Sequence, residues 1–231
     1  MFTSSAVAPI IGGKLTLPDS YQRGVVLGRN PISAASFPGT AFDVVAFASS
    51  AGGLKALIEV LAALPATFPA AIVLVQHVDP RHRSLMAEIL TRHTSLSVRE
   101  AEEGDHLQPG TVLVAPPNKH LLINRDGTVS LSSSELVHFV RPSADLLFES
   151  LAASYGDRAI AVVLTGTGSD GTMGVQAIKK TGGMVIAQDE ASAEFFGMPG
   201  AAIATGSVDF TLPLAEIAPA LLSLVNAGDG E

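Results

Sequence analysis

Asp43-Val44-Val45-Ala46-Phe47-Ala48-Ser49-Ser50-Ala51-Gly52-Gly53 is the stretch whose reading decides the fold: an apolar run of strand length ends abruptly in small polar residues and paired glycines. Directly after it, Leu54, Leu57, Ile58 and Leu61 recur at i, i+3, i+4 and i+7, the period of a helix with one apolar face, and Pro65 stops it. A buried strand, a tight turn and an amphipathic helix make the first unit of a parallel α/β sheet. The same succession recurs where Ala71 to Val75 ends at Gln76-His77, and where Ala159 to Thr165 ends at Gly166-Thr167-Gly168-Ser169-Asp170-Gly171. In a parallel sheet such junctions gather along one edge, where ligands bind. A Ser, a His and an Asp from distant parts of the chain are therefore expected to meet there.

Working outward, Ala70 to Val75 is apolar on both faces, as a central strand covered on two sides must be, and a helix is expected from about Ser84 to Arg92. Thr111 to Ala115 and Leu121 to Asn124 read as short strands, with a hairpin turn at Arg125-Asp126-Gly127, and suggest an antiparallel excursion from the main sheet. Pro142 suits a first helical turn, ahead of the stripe Ala144, Leu147, Phe148 and Leu151. Strands at Ala159 to Leu164, Met184 to Ala187 and Val208 to Thr211 then alternate with helices at Thr172 to Lys180, near Gly200 to Ala204, and at Leu214 to Val225. The expected architecture is an α/β, doubly wound, mostly parallel sheet with helices on both faces and a small antiparallel hairpin excursion. Residues 1–41, with Pro9, Pro18, Pro31 and Pro38 and no sustained period, read as an irregular N-terminal extension to a catalytic unit at 42–231.

Composition narrows the function. A chain of 231 residues that is 47% hydrophobic can bury one full core, and no apolar stretch reaches the roughly 20 residues of a membrane span, so membrane insertion is not expected. Residues 1–20 lack the basic start of a secretory signal, so a cytoplasmic location is expected. The absence of cysteine removes disulfides, thiolate metal sites and a cysteine nucleophile together. A formal charge of −8 without any basic block, no Trp and 5% aromatic residues leave neither a phosphate-binding footprint nor a base-stacking platform, so no nucleic-acid partner is expected.

Each junction has a chemical and a structural reading. Ala48-Ser49-Ser50-Ala51-Gly52 is one methyl group from the small-x-Ser-x-Gly turn that presents a nucleophilic serine at a helix N-terminus, where backbone N–H groups can stabilise an oxyanion. The alternative is a plain helix cap, and two adjacent serines leave the nucleophile open. His77 closes a central strand, unlike His82, His93, His106, His120 and His138, which fall in helix, loop or hairpin. Spacing of His77, Asp79 and His82 permits a metal reading, opposed by Pro80 and by the charges of Arg81 and Arg83. Gly166 to Gly171 matches G-x-G-x-x-G between a strand and a helix, with Asp189-Glu190 about 20 residues on, as in a dinucleotide fingerprint. Against it, Asp170 would set a carboxylate where a pyrophosphate should lie. As a triad member, the same Asp170 would orient His77 and stabilise its imidazolium; as a plain cap, it would close the helix starting at Thr172.

Ser50-Ala51-Gly52-Gly53, Gln76-His77, Pro116-Pro117-Asn118-Lys119-His120, Arg141-Pro142-Ser143 with Asp145 and Phe148, Leu164-Thr165-Gly166 with Gly168 and Asp170-Gly171, Ala187-Gln188, and Phe196-Gly197-Met198-Pro199 occur in this order. Together they resemble the catalytic domain of CheB-type protein-glutamate methylesterases of bacterial chemotaxis, over about Asp43 to Val225. The resemblance implies that Ser50 is the nucleophile, His77 the general base and Asp170 its orienting partner, with backbone N–H groups near Ala51 and Gly52 forming the oxyanion site and no metal or organic cofactor. It implies hydrolysis of glutamyl methyl esters, and deamidation of glutamines, on the helical cytoplasmic domain of a methylated chemoreceptor. Thr167 departs from the family's usual Met, and Val140 from its usual His. Residues 1–41 cannot form the family's regulatory receiver domain, so regulation is expected to be either absent or supplied from outside by a separate regulatory protein. Two other readings stand beside this one: an NAD(P)-dependent oxidoreductase using the glycine loop, and a catalytically silent receptor-binding domain.

Overall fold

Val44–Ser49 (β3) lies at the centre of a seven-stranded sheet in which every neighbouring pair is parallel. This computed structural model describes residues 10–11, 14–15, 36–77 and 84–229. Of the expected N-terminal extension, Ile10–Ile11 (β1) and Lys14–Leu15 (β2) form a small antiparallel ladder. On one side of β3 lie Ala71–Gln76 (β4), Thr111–Val114 (β6) and the edge strand Ser97–Glu100 (β5); on the other lie Ala159–Val163 (β9), Met184–Gln188 (β10) and Phe210–Leu212 (β11). The chain leaves β3 toward β4 and later returns to its other flank at β9, so the topological switch point falls between β3 and β9. The crevice above such a point is where ligands bind in doubly wound sheets.

Helices cover both faces because alternate residues of every central strand are apolar in both directions. Val45, Phe47, Ile72, Leu74, Val162 and Ile186 pack under Gly53–Ala62 (α1), Met86–Thr91 (α2) and Leu214–Val225 (α6). Val44, Ala46, Ala48, Val73, Val75 and Val163 pack under Ala144–Tyr155 (α3), Thr172–Lys180 (α4) and Gly197–Ala204 (α5). At the N-terminal end of the sheet, the fully buried Asp43 carboxylate is gripped by the Arg158 guanidinium, and it accepts from the Phe37 N–H at 2.8 Å and the Thr40 hydroxyl at 3.2 Å. The site below lies at the opposite end of the strands.

The expected doubly wound fold holds, with local corrections. Thr111–Val114 is not part of the antiparallel excursion but a parallel strand between β4 and β5, because Val112 and Val114 serve one buried face and Leu113 the other. Its neighbour β5 carries Arg99 and Glu100 and is mostly exposed, so it offered no apolar pattern to read. The excursion is the hairpin of His120–Ile123 (β7) and Val129–Ser132 (β8), whose Leu121, Ile123 and Val129 pack with α3. Pro142 stands outside α3: Ser143 is the N-cap and accepts from the Leu146 N–H. The last strand starts at Phe210, not Val208, because the Asp209 side chain takes the Val185 N–H while the Asp209 N–H bonds the Val185 carbonyl.

Candidate active site

Strand register decides which serine faces which histidine. Ser49 pairs with Gln76 as the last rung of β3 and β4, and the ladder runs one step further through the His77 N–H to the Ser49 carbonyl at 3.1 Å. Side chains alternate across a sheet. Ser49 and Gln76 therefore share the α1/α6 face, while Ser50 and His77 share the face of α3, α4 and α5. Ser49 is fully buried and donates to Gln76 Oε1 at 2.6 Å; Gln76 Nε2 in turn donates to the carbonyls of Ser50 at 2.7 Å and His77 at 3.1 Å. Gln76 thus ties the two junctions together. Gly53 makes room for it, since a Cβ there would stand 2.1 Å from Gln76 Oε1.

Ser50 is half-buried, and its hydroxyl makes no hydrogen bond among the described residues. It does not cap α1, whose N-cap is Gly52 in a left-handed conformation at φ 77° that strains any residue with a Cβ. The Gly53 N–H is spent on the Ser50 carbonyl at 2.9 Å, whereas those of Ala51 and Gly52 have no acceptor among the described residues. The glycine loop borders Ser50 closely: a Cβ on Gly166 would come within 2.9 Å of the Ser50 Cβ.

Asp170 closes the group. Its Oδ2 lies 2.9 Å from His77 Nε2, joining residues 93 apart in sequence. The same carboxylate accepts from the Ser143 hydroxyl at 2.9 Å, the Ala144 N–H at 2.6 Å and the Asp145 N–H at 3.1 Å. Asp170 therefore caps α3 rather than its own helix α4, whose N-cap is Gly171 with no side-chain cap. Burial works to raise its pKa, but the bonds from His77, Ala144 and Asp145 outweigh it and hold the carboxyl below its ordinary value. An ionised Asp170 accepting from Nε2 keeps the imidazole proton on that nitrogen and leaves Nδ1 as the basic one.

Other expected candidates have different tasks. His120 is fully buried, with Nδ1 accepting from the Ser143 N–H at 3.1 Å and Nε2 donating to the Glu135 carbonyl at 3.0 Å, so it supports the α3 start. Asp79 and His82 of the metal reading lie outside the described residues; among those described, no group of three His, Asp or Glu side chains could hold a metal ion. The dinucleotide reading meets a physical obstacle, because the α4 N-terminus, where a pyrophosphate would sit, already donates its Gly174 N–H to the Asp145 carboxylate at 2.8 Å. Asp189 is likewise engaged, accepting from the N–H and hydroxyl of Ser192.

Gln76, Ser143 and Asp145 carry no local sequence signal of their tasks, since each acts through a partner far away in the chain. Phe139 is 95% exposed at φ 66° beside His138 at φ 49°, in the loop leading to α3. Arg141 holds that loop through Asn118 and the carbonyls of Ser133 and Ser134. A cavity of about 240 Å³ lined by Lys55, Glu59, Gln188, Ser192 and Glu194 lies beside the junction on the α1/α6 side and includes neither Ser50, His77 nor Asp170. The three side chains stand instead at the sheet edge beside it.

Known proteins resemble this chain in sequence and in fold. The profile of the CheB methylesterase family matches residues 45–221. A protein-glutamate methylesterase/protein-glutamine glutaminase of Moorella thermoacetica is 42% identical over 219 residues, covering 92% of this chain and 52% of that protein. A putative protein of the same description from Leptospira interrogans is 42% identical over 183 residues, covering 79% of this chain and 95% of that one. The chain thus spans about half the length of the first of these relatives and nearly all of the second. The crystal structure of the Thermotoga maritima CheB methylesterase catalytic domain superposes with a TM-score of 0.77 at 39% identity, over 80% of this chain and 99% of that one.

Proposed function

The chain belongs to the CheB methylesterase family, and from that premise we propose that it is a serine hydrolase that removes methyl groups from glutamyl esters of chemoreceptor cytoplasmic domains and deamidates receptor glutamines. Ser50 is the nucleophile, His77 the general base and Asp170 the carboxylate that orients it. The observation that carries this reading is the 2.9 Å contact of His77 Nε2 with Asp170, with Ser50 and His77 each directly following the last rung of the ladder, Ser49 and Gln76, on the same sheet face.

The chemistry follows from those positions. Nδ1 of His77 takes the Ser50 proton as Oγ attacks the ester carbonyl carbon, and the Ala51 and Gly52 N–H groups receive the developing oxyanion. The imidazolium, stabilised by Asp170, returns its proton to the departing methoxide, so methanol leaves and a glutamyl ester of Ser50 remains. A water deprotonated by His77 then attacks that ester, restoring Ser50 and releasing a receptor carboxylate. With glutamine as substrate the same steps expel ammonia. A reacting group at a sheet edge, outside the neighbouring cavity, suits a side chain projecting from a protein surface. No helix is long and apolar enough to cross a membrane among the described residues, and the reading places the protein beside the receptor's cytoplasmic domain.

Methanol released from a methylated receptor is the test. Ser50→Ala should lower the rate by about three orders of magnitude or more. Equal release by the two proteins overturns the assignment. A serine-reactive phosphonate that binds without labelling Ser50 would instead favour a silent binding domain.

A further inference from the structure

Asp145 is 3% exposed, yet only one of its carboxylate oxygens is hydrogen-bonded. Oδ1 accepts from the Gly174 N–H of α4 at 2.8 Å; Oδ2 has no hydrogen-bond partner and faces His138 Nε2 at 3.5 Å. Burying a half-satisfied carboxylate is costly, and here burial together with the neighbouring Asp170 charge pushes its pKa up. An acid in the first turn of a helix ordinarily serves that helix's own dipole from the surface. Asp145 instead reaches across to a different helix.

The arrangement is reciprocal. Asp170, just before α4, caps α3 through the Ala144 and Asp145 N–H groups, while Asp145, in the first turn of α3, caps α4 through Gly174. Close approach of the two helices depends on Gly174, because a Cβ there would lie 2.5 Å from the Phe148 Cβ. Neither carboxylate can shift without releasing the other's helix start. We propose that Asp145 is a positioning residue for the catalytic centre: by anchoring the first turn of α4 it holds Asp170 at hydrogen-bond distance from His77. This rests on the triad reading above for its effect on turnover, but not for its effect on the His77–Asp170 bond.

Two measurements on the full chain test it. Asp145→Ala should reduce the kcat of methanol release about ten- to a hundredfold with KM within about twofold, because a small displacement of an orienting group is felt in the chemical step. Asp145→Asn, whose amide oxygen still accepts from Gly174, should keep kcat within about threefold of the parent. In histidine-labelled protein, the downfield His77 Nε2 proton should be present in the parent and in Asp145→Asn and lost in Asp145→Ala. Should Asp145→Ala fail to fold, Asp145→Ser, which is too short to bridge to α4, carries the same expectation. The proposal is overturned if the truncated variant keeps both kcat and the resonance, or if a folded Asp145→Asn loses as much as the truncation. A parent protein that releases no methanol overturns the esterase reading alone, since the resonance is read without turnover.

Discussion

Adjacent serines with opposite tasks give the sharpest contrast at the level of single residues. Ser49 donates to Gln76 inside a closed network, whereas the Ser50 hydroxyl has no partner among the described residues. Ser49→Ala leaves a buried acceptor without its donor and should cost about 1–3 kcal/mol in a denaturant melt. Ser50→Ala should leave the melt within about 0.5 kcal/mol of the parent while abolishing turnover. Equal stability losses would mean that the hydroxyls are not divided in this way. The pair sat side by side in the sequence with nothing to separate them, and only the resemblance to a family preferred Ser50. Residue chemistry could be read in advance, but the face each serine occupies could not.

Among the elements, the junction of α3 and α4 carries most of the site. Sequence periodicity located α4 at Thr172 to Lys180 and the buried stripe of α3 from Ala144 to Leu151, because apolar stripes are strong local signals. It did not reveal that the capping carboxylates are exchanged, since a cap is normally sought within its own helix. Gly174 shows the cost of the close approach. Gly174→Ala gains helix propensity, worth about 1 kcal/mol at an exposed site, but here the new methyl meets Phe148 and the Asp145 carbonyl. Overpacking should win by about 1–3 kcal/mol, with a fall in kcat because α4 carries Asp170 at its start. A variant more stable than the parent would show that the helices can part freely. Strand β5 was missed for the complementary reason: charged and half-solvated, it is a strand only because β6 pairs with it.

For the whole molecule, the sheet is secured at one end and reactive at the other. The Asp43–Arg158 pair joins the starts of β3 and β9 across 115 residues, below the switch point that opens above them. Removing the carboxylate leaves the guanidinium without its counter-charge, with only Thr40 to bond, and the Phe37 N–H without its acceptor. Asp43→Ala should therefore cost about 3 kcal/mol, a fall in Tm of roughly 6–12 °C for a chain of this size. An unchanged Tm would show that the pair contributes nothing. Taken by itself, the sequence determined that this protein is a parallel α/β sheet with Ser, His and Asp junctions, because strand, turn and helix patterns are local and each junction lies within a few residues of its strand. Only the tertiary structure decided that Ser50 rather than Ser49 lies on the face of His77, that Asp170 caps a distant helix, and that Asp145 returns the cap. Those outcomes depend on the register between neighbouring strands and on the distance between two helices, and neither quantity exists until the chain has packed.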